Sequence, residues 1–329
     1  MDQIIFFAER QMGKRSTTRT EGKKYKIRNW RCYNESLVCR GDVTLWLEED
    51  VIFGWEHENA QSKVGAPFVY SDEAILCLLS LREVFGLTYR QTEGFGRSLV
   101  RLMGADVKIP DYTSLQKRAA KLEVCLSVTP STGSRDIVID STGLKVYGEG
   151  EWKARKHGVS KRRTWRKLHI GIDPNTGEIV AEQLTGNDTH DAEPVEEMIG
   201  QVAEPISRFY GDGAYDQRNV YNVLEANSTE PIIPPRKNAV LWQHGNSSKP
   251  KLPRDQAVRE IRRSSRRAWK VKVDYHVRSL GETVMYRLKT IFGGELKNRL
   301  LRNQKIEASI RCRVLNKFTQ LGMPNFQWN

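Results

Sequence analysis

Tyr275, Arg278, Glu282 and Lys289 stand at offsets 0, 3, 7 and 14 within the segment Tyr-His-Val-Arg-Ser-Leu-Gly-Glu-Thr-Val-Met-Tyr-Arg-Leu-Lys. At about 100° per residue on a helix, the four project within about 60° of one another. Val277, Leu280, Val284, Leu288 and Ile291 take the opposite face. Such a helix docks by its apolar side and displays a carboxylate, two cations and a phenol on the other. That set suits a charged site held against something anionic, with Glu282 as its anchor.

Two more carboxylates close apolar runs. Asp140 ends Ile137-Val-Ile-Asp ahead of Ser-Thr-Gly, and Asp212 ends Phe209-Tyr-Gly-Asp ahead of Gly-Ala-Tyr. A carboxylate at a strand tip followed by a turn is held at the sheet edge where ligands bind. Asp140, Asp212 and Glu282 are separated by 72 and 70 residues. Three carboxylates without a Cys/His cluster suit hard, oxygen-seeking Mg2+ rather than zinc. Two such ions about 3.5 to 4 Å apart activate the attacking oxygen and stabilise the leaving oxygen of an in-line phosphoryl displacement. Either aspartate alone reads equally well as a turn or capping residue. Asp136, Asp173 and Asp216 are rivals with structural readings: Asp136 shares a strand face with Asp140, Asp173 opens a Pro-Asn-Thr-Gly turn, and Asp216 starts the next helix.

The elements that must position these residues fall into two stretches. From Ser71 to Leu122 the period is helical. Ser71 caps a helix with Ile75, Leu78 and Leu79 on its apolar face, Thr88 to Gln91 makes a capping box ahead of Phe95, Leu99, Leu102 and Met103, and Thr113 to Gln116 makes another ahead of Leu115, Ala119 and Leu122. Three short helices ending in a basic one, with Lys117 and Arg118 off the apolar face, match a helix-turn-helix unit or plain helical scaffolding. After Pro130 the signals alternate: a strand at 136–140, a hairpin from 168–172 to 179–184, a helix over 192–202, a strand at 206–210, a helix over 217–226 and a strand at 231–233. This is a mixed α/β sheet. Residues 236–273, rich in Pro, Asn, Gly, Ser and Arg, interrupt it as an insertion before the Tyr275 helix. The expected organisation is a basic flexible arm over 1–30, a helical DNA-binding region over 31–130 and a catalytic domain over 131–329.

Charge points to the partner. The 329 residues carry 53 Lys and Arg against 40 Asp and Glu, a net charge of +13. Lys251 to Arg313 holds 18 basic and 6 acidic residues, and Lys153 to Lys167 holds eight basic residues and no acid. Clustering of this kind marks a polyanion-binding surface, most simply nucleic acid. Within the second run Lys156, Arg162 and Arg163, flanked by Trp152 and Trp165, are candidate DNA contacts. Arg278 and Lys289 are candidates for phosphates, with Tyr275 stacking or hydrogen-bonding beside them; the alternative for Arg278 is an i, i+4 pair with Glu282. Five cysteines in no metal-finger spacing fit a reducing compartment, and neither a signal-peptide core nor a membrane-length apolar window occurs, so a cytoplasmic, nucleoid-associated protein is expected.

The segments Asp140-Ser-Thr-Gly-Leu-Lys-Val-Tyr-Gly-Glu-Gly-Glu-Trp, Gly211-Asp-Gly-Ala-Tyr-Asp216, Ile233-Pro-Pro-Arg-Lys-Asn238 and Tyr-x2-Arg-x3-Glu-x6-Lys together resemble bacterial insertion-sequence DDE transposases, most of all the insertion-sequence five family and its branch similar to the transposase of insertion sequence 903. The resemblance spans about 24–324. It implies a ribonuclease H-like core with an N-terminal DNA-binding region and an insertion before the last catalytic helix. It also implies that Asp140, Asp212 and Glu282 form a metal triad holding Mg2+, with Mn2+ as a substitute, and most simply two ions. The expected activity is cleavage at terminal inverted repeats of double-stranded DNA and transfer of the 3'-OH end into target DNA, by a homo-oligomer assembled on DNA. The competing expectations are a ribonuclease H-like nuclease without strand transfer and a DNA-binding regulator with an inactive site.

Overall fold

The structure is a computed structural model describing residues 25–57, 67–146, 165–243 and 251–328. Its centre is one sheet. Strand β2 (Arg135–Val146) pairs antiparallel with β3 (Trp165–Ile172), which pairs antiparallel with β4 (Ile179–Gly186). On the other side β2 pairs parallel with β5 (Ile206–Tyr210), and β5 pairs parallel with β6 (Glu230–Ile232). The order β4-β3-β2-β5-β6, an antiparallel meander followed by two parallel strands, is the ribonuclease H-like arrangement. A two-residue strand, β7 (Glu295–Leu296), joins β2 at its far end, at Lys145 and Val146.

The sheet is covered on both faces. Ile137 and Ile139 point into a core with Val195, Met198, Val220 and Leu224 from helices Val195–Gly200 and Arg218–Ala226. Val138, Leu144, Leu168 and Ile170 point the other way, onto helices Asp72–Val84, Ser279–Phe292 and Leu301–Leu321. The N-terminal helices therefore share one core with the sheet instead of forming a detached bundle. Asp72–Val84 is the most enclosed of them, every residue from Ala74 to Glu83 being buried.

The expected caps mostly form. Ser71 Oγ accepts from Ala74 N, and Thr88 and Gln91 close the capping box of helix Tyr89–Met103. The next helix, Tyr112–Ala119, starts two residues early: Asp111, not Thr113, is its cap and accepts from Thr113 N at 2.8 Å and Ser114 N at 2.9 Å. Asp111 Oδ1 takes both backbone donors, and Oδ2 accepts from the Ser114 hydroxyl as well.

Three expectations change. Of the 1–30 arm, the described part begins with a strand, β1 (Tyr25–Ile27), paired antiparallel with β8 (Phe326–Trp328). The 236–273 stretch contains two helices, Pro253–Arg263 and Arg266–Lys272. They are tied to the sheet by a buried pair from Arg254 Nε to Asp216 Oδ1 at 2.6 Å, and Asp216 Oδ2 also accepts from Arg236 N. Finally, β2 does not stop at Asp140 but continues to Val146.

Candidate active site

Asp140 lies mid-strand, yet it stands at an edge. The β2–β5 ladder ends at the pair Val138 and Tyr210, and β7 does not join β2 until Lys145. Between those points β2 has no strand partner on that side among the described residues. Extending the parallel register by two residues brings Asp212 level with Asp140. Gly211 makes the exit from β5 possible, since a Cβ there would meet the Phe209 and Tyr215 rings at 3.0 Å. Asp212 then caps the short 3-10 turn Gly213–Tyr215 by accepting from Ala214 N at 2.7 Å.

Glu282 arrives from a third element. The chain enters with Asp274 in a left-handed conformation (φ 51°), makes a 3-10 turn over Tyr275–Arg278, and only then becomes the α-helix Ser279–Phe292. The four-residue stripe is therefore not one α-helix. In a 3-10 turn residues three apart eclipse, so Tyr275 sits beneath Arg278 instead of beside it. Tyr275 is buried, its ring 6.2 Å from that of Trp269 and its face under Lys270 Nζ at 4.7 Å. Burial pushes its hydroxyl up to about 12 against the lowering effect of Arg278. Its expected role on DNA gives way to one of packing beneath the site. The apolar face holds, with Val284 and Leu288 in the core.

The three carboxylates meet at one guanidinium. Arg278 Nη1 donates to Glu282 Oε1 at 2.6 Å, Nη2 donates to Asp140 Oδ2 at 3.2 Å, and Nη2 lies 3.9 Å from Asp212 Oδ2. Asp140 is the most enclosed of the three acids and Glu282 the most exposed, with side-chain exposures of 15%, 42% and 67% in chain order. Burial raises the Asp140 pKa, Arg278 and the Ser141 N–H lower it, and Asp212 and Glu282 push it up further; the net is upward. Burial also works against the Arg278 cation, but Asp140 leads the contacts that outweigh it and keep it charged.

The donor set fits a hard divalent cation. Three carboxylates from three elements already surround a positive group, and the guanidinium serves as a stand-in ion. Among the described residues, no three His, Cys, Asp or Glu side chains stand at ready-made ligand spacing, because a planar guanidinium holds the oxygens farther apart than a small ion does.

The rival aspartates are held in ion pairs, and Asp216 pairs with Arg254 instead of starting the next helix, whose N-cap is Gln217. Asp173 forms a buried pair with Arg135 at 2.8 Å, and Asp136 pairs with Arg208 at 2.7 Å. In the Asn187 to Asp191 cluster, Asp191 and the Thr189 carbonyl accept from Lys167 Nζ.

The candidate DNA contacts divide. Lys117 is exposed. Arg118 is committed to the fold, donating to Tyr70 O at 2.6 Å, pairing with Asp72 at 2.5 Å and covering the Phe68 ring. Lys289 is partly exposed on the Glu282 helix. Lys156, Arg162 and Arg163 lie outside the described residues. Two basic hollows are lined by none of the three acids. One of about 400 Å³ is lined by Arg266, Arg267, Lys270, Val271 and His276. A larger one of about 1040 Å³ between the helical region and the sheet includes Lys145, Lys297 and Arg299. Arg266 and Arg267 fall within the basic stretch Lys251 to Arg313, but no sequence signal brings His276 beside them.

The ribonuclease H-like sheet carries Asp140 on β2 and Asp212 just past the end of its parallel neighbour β5, and the later helix Ser279–Phe292 brings Glu282 to the same guanidinium. Two family models, each described as a transposase DDE domain, match residues 38–149 and 131–316. The second covers more than half of the chain, and the protein belongs to the DDE transposase family: it is a DNA transposase. Solved structures similar to it include a piggyBac transposase synaptic complex with hairpin DNA, at 13% identity over 86% of this chain and 75% of that one, with a TM-score of 0.38. A Mos1 strand transfer complex matches at 10% identity over 80% and 82%, TM-score 0.22, and a pre-cleavage Mos1 transpososome at 10% over 81% and 83%, TM-score 0.21. With scores this low, the fold assignment stands on the strand order. No described helix is long and apolar enough to cross a membrane.

Proposed function

We propose that this transposase moves an insertion sequence of the insertion-sequence five group, cutting at terminal inverted repeats and joining the freed 3'-OH ends to target DNA. The observation that carries this reading is the convergence of Asp140, Asp212 and Glu282 on one cation-binding point, from three elements far apart in the chain. A pair of Mg2+ ions held by these carboxylates would supply the Lewis acidity for in-line displacement at phosphorus.

The chain's own residues do the positioning. Asp140 is fixed by a strand paired to β3 and by the Ser141 N–H at 2.9 Å, and Asp212 by the Ala214 N–H. Glu282 rides the rim of the helix and can adjust, being two-thirds exposed. Two displacements suffice: water breaks the P–O bond at the element end, then the 3'-OH attacks a target phosphodiester and releases one target strand. Lys117, Lys289, the Lys156, Arg162 and Arg163 run, and the Arg266, Arg267 and Lys270 hollow are the proposed phosphate contacts. Because two ends must be held together, the active species is a homo-oligomer on DNA.

The test is to incubate a labelled, pre-cut element end with supercoiled plasmid and Mg2+ or Mn2+. Joined products are expected. Nicking without joining would replace the transfer reading by a nuclease, and DNA binding with neither reaction would leave only a regulator.

A further inference from the structure

Arg278 has a second role that phosphate binding alone does not describe. Its two terminal nitrogens engage all three acids, and Nη2 alone lies between Asp140 and Asp212. These contacts run from 2.6 to 3.9 Å, and the Ser141 and Ala214 N–H groups occupy the other oxygens of Asp140 and Asp212. An Mg2+ ion, which binds oxygen at about 2.0 to 2.1 Å, therefore competes with the guanidinium for Asp140 Oδ2 and Glu282 Oε1. We propose that Arg278 is the built-in counter-cation of the metal-free site: divalent metal must displace it, and a DNA phosphate receives it, so metal and DNA bind cooperatively. This rests on the triad being the metal site.

Three further observations support an exchangeable guanidinium. Arg278 is four-fifths enclosed, and its Nε is buried without a hydrogen-bond partner among the described residues. Once the carboxylates turn to metal, the cation is left half-desolvated and in need of another anion, and a phosphate offers it a bidentate partner. It also sits at the junction between the 3-10 turn and the α-helix, as the N-cap residue, with a φ of −56° and ψ of −28°. Swinging its side chain therefore breaks no side-chain cap. The buried Tyr275 below it keeps the backbone in place while the side chain moves. Arg278 is thus a positioning residue whose partner changes with the ligand state.

The experiment is a Mn2+ titration of the full chain, followed by the spin-resonance signal of free Mn2+, with and without a pre-cut duplex of the DNA flanking the gene and with no target present. Wild type should bind Mn2+ on the order of tenfold more tightly with the duplex, within the usual range of coupling between sites. Arg278→Gln should bind Mn2+ alone more tightly than wild type, and the duplex should no longer change its affinity. Arg278→Lys, which keeps the charge but loses the fork, should fall between the two and serves as the folded control. An Arg278→Gln protein that binds Mn2+ no more tightly than wild type, or that keeps the full DNA effect, overturns the proposal. If Asp140→Asn binds Mn2+ as wild type does, the triad is not the metal site and both readings fall together.

Discussion

Gly281 touches Asp140: a Cβ added at Gly281 would stand 3.1 Å from Asp140 Cβ and 3.2 Å from its Oδ2. The helix carrying Glu282 thus crosses β2 at its unpaired stretch with only hydrogen between backbone and carboxylate. Gly281→Ala should raise the helix or turn the Asp140 carboxyl by a few tenths of an ångström. A misplacement of about 1 Å costs on the order of 10²-fold in rate, so strand joining should fall about tenfold in Gly281→Ala and further in Gly281→Val. The melting temperature should change little in the alanine variant, since the better helix former offsets part of the strain. Unimpaired joining by Gly281→Val would show that this contact does not set the site's geometry.

Asp140→Asn, Asp212→Asn and Glu282→Gln should each reduce cleavage and joining by about 10³-fold or more, the scale of several kcal/mol of lost charge stabilisation. Retained duplex binding in gel-shift assays, with a melting temperature near wild type, separates this from unfolding.

Stability should carry a pH signature from Glu182 on β4. Burial raises its carboxyl to about 7, partly offset by the Ser309 hydroxyl, and its Oε2 has no hydrogen-bond partner among the described residues. The folded state therefore holds this proton more tightly than the unfolded chain. Its contribution is full below the ordinary carboxylate range and is lost as pH rises towards 7, by at most about 3 kcal/mol. Glu182→Gln should be more stable than wild type at pH 8, with the gap closing by pH 5 in urea titrations. His169 on the neighbouring strand runs the other way: burial lowers it to about 4, so its contribution is lost as pH falls from its ordinary range towards 4.

Arg311 has no exposed side-chain surface and joins Glu83 to Glu307 while donating to Glu295 O at 2.8 Å. Arg311→Met leaves the buried Glu307 carboxylate without its cation and Glu83 with Arg82 alone, a loss of about 3 to 5 kcal/mol. Chemical denaturation showing less than 1 kcal/mol would mean that water or protonation relieves the acids at little cost.

Lys117→Ala and Arg118→Ala should separate binding from folding. Lys117→Ala should lower the slope of log affinity against log salt by about 1 and leave the melting temperature alone. Arg118→Ala should lower the melting temperature, because it releases Tyr70 O, Asp72 and the Phe68 ring together.

Legibility in the sequence followed the kind of force at work. Helix caps at Ser71 and Thr88, the 206–210 strand and the 168–184 hairpin were readable because each is specified by residues a few positions apart. In helix Leu301–Leu321 the buried side mixes Ile310, Val314 and Phe318 with Asn303, Gln304, Glu307, Arg311 and Asn316, and the polar members blur its period. Their burial is tolerated only because partners such as Glu83, Ile179 and Lys297 satisfy them from elsewhere in the chain. The same holds for β2. Ser141-Thr-Gly143 reads as a turn locally, and pairing with His169, Leu168 and Lys167 keeps it extended.

The sequence by itself determined the residue types at the site: three acids, no soft metal ligands, and an arginine one helical turn before Glu282. Those follow from local order, because a strand tip, a helix stripe and a charge run are each written in contiguous residues. Only the tertiary structure decided that Asp140 stands at an edge left by the end of a neighbouring strand rather than of its own, that Tyr275 faces inward, and that Arg278 gathers all three carboxylates. These depend on which elements end beside which others, and side chains more than a hundred residues apart can set that distance only when the sheet and its covering helices have packed.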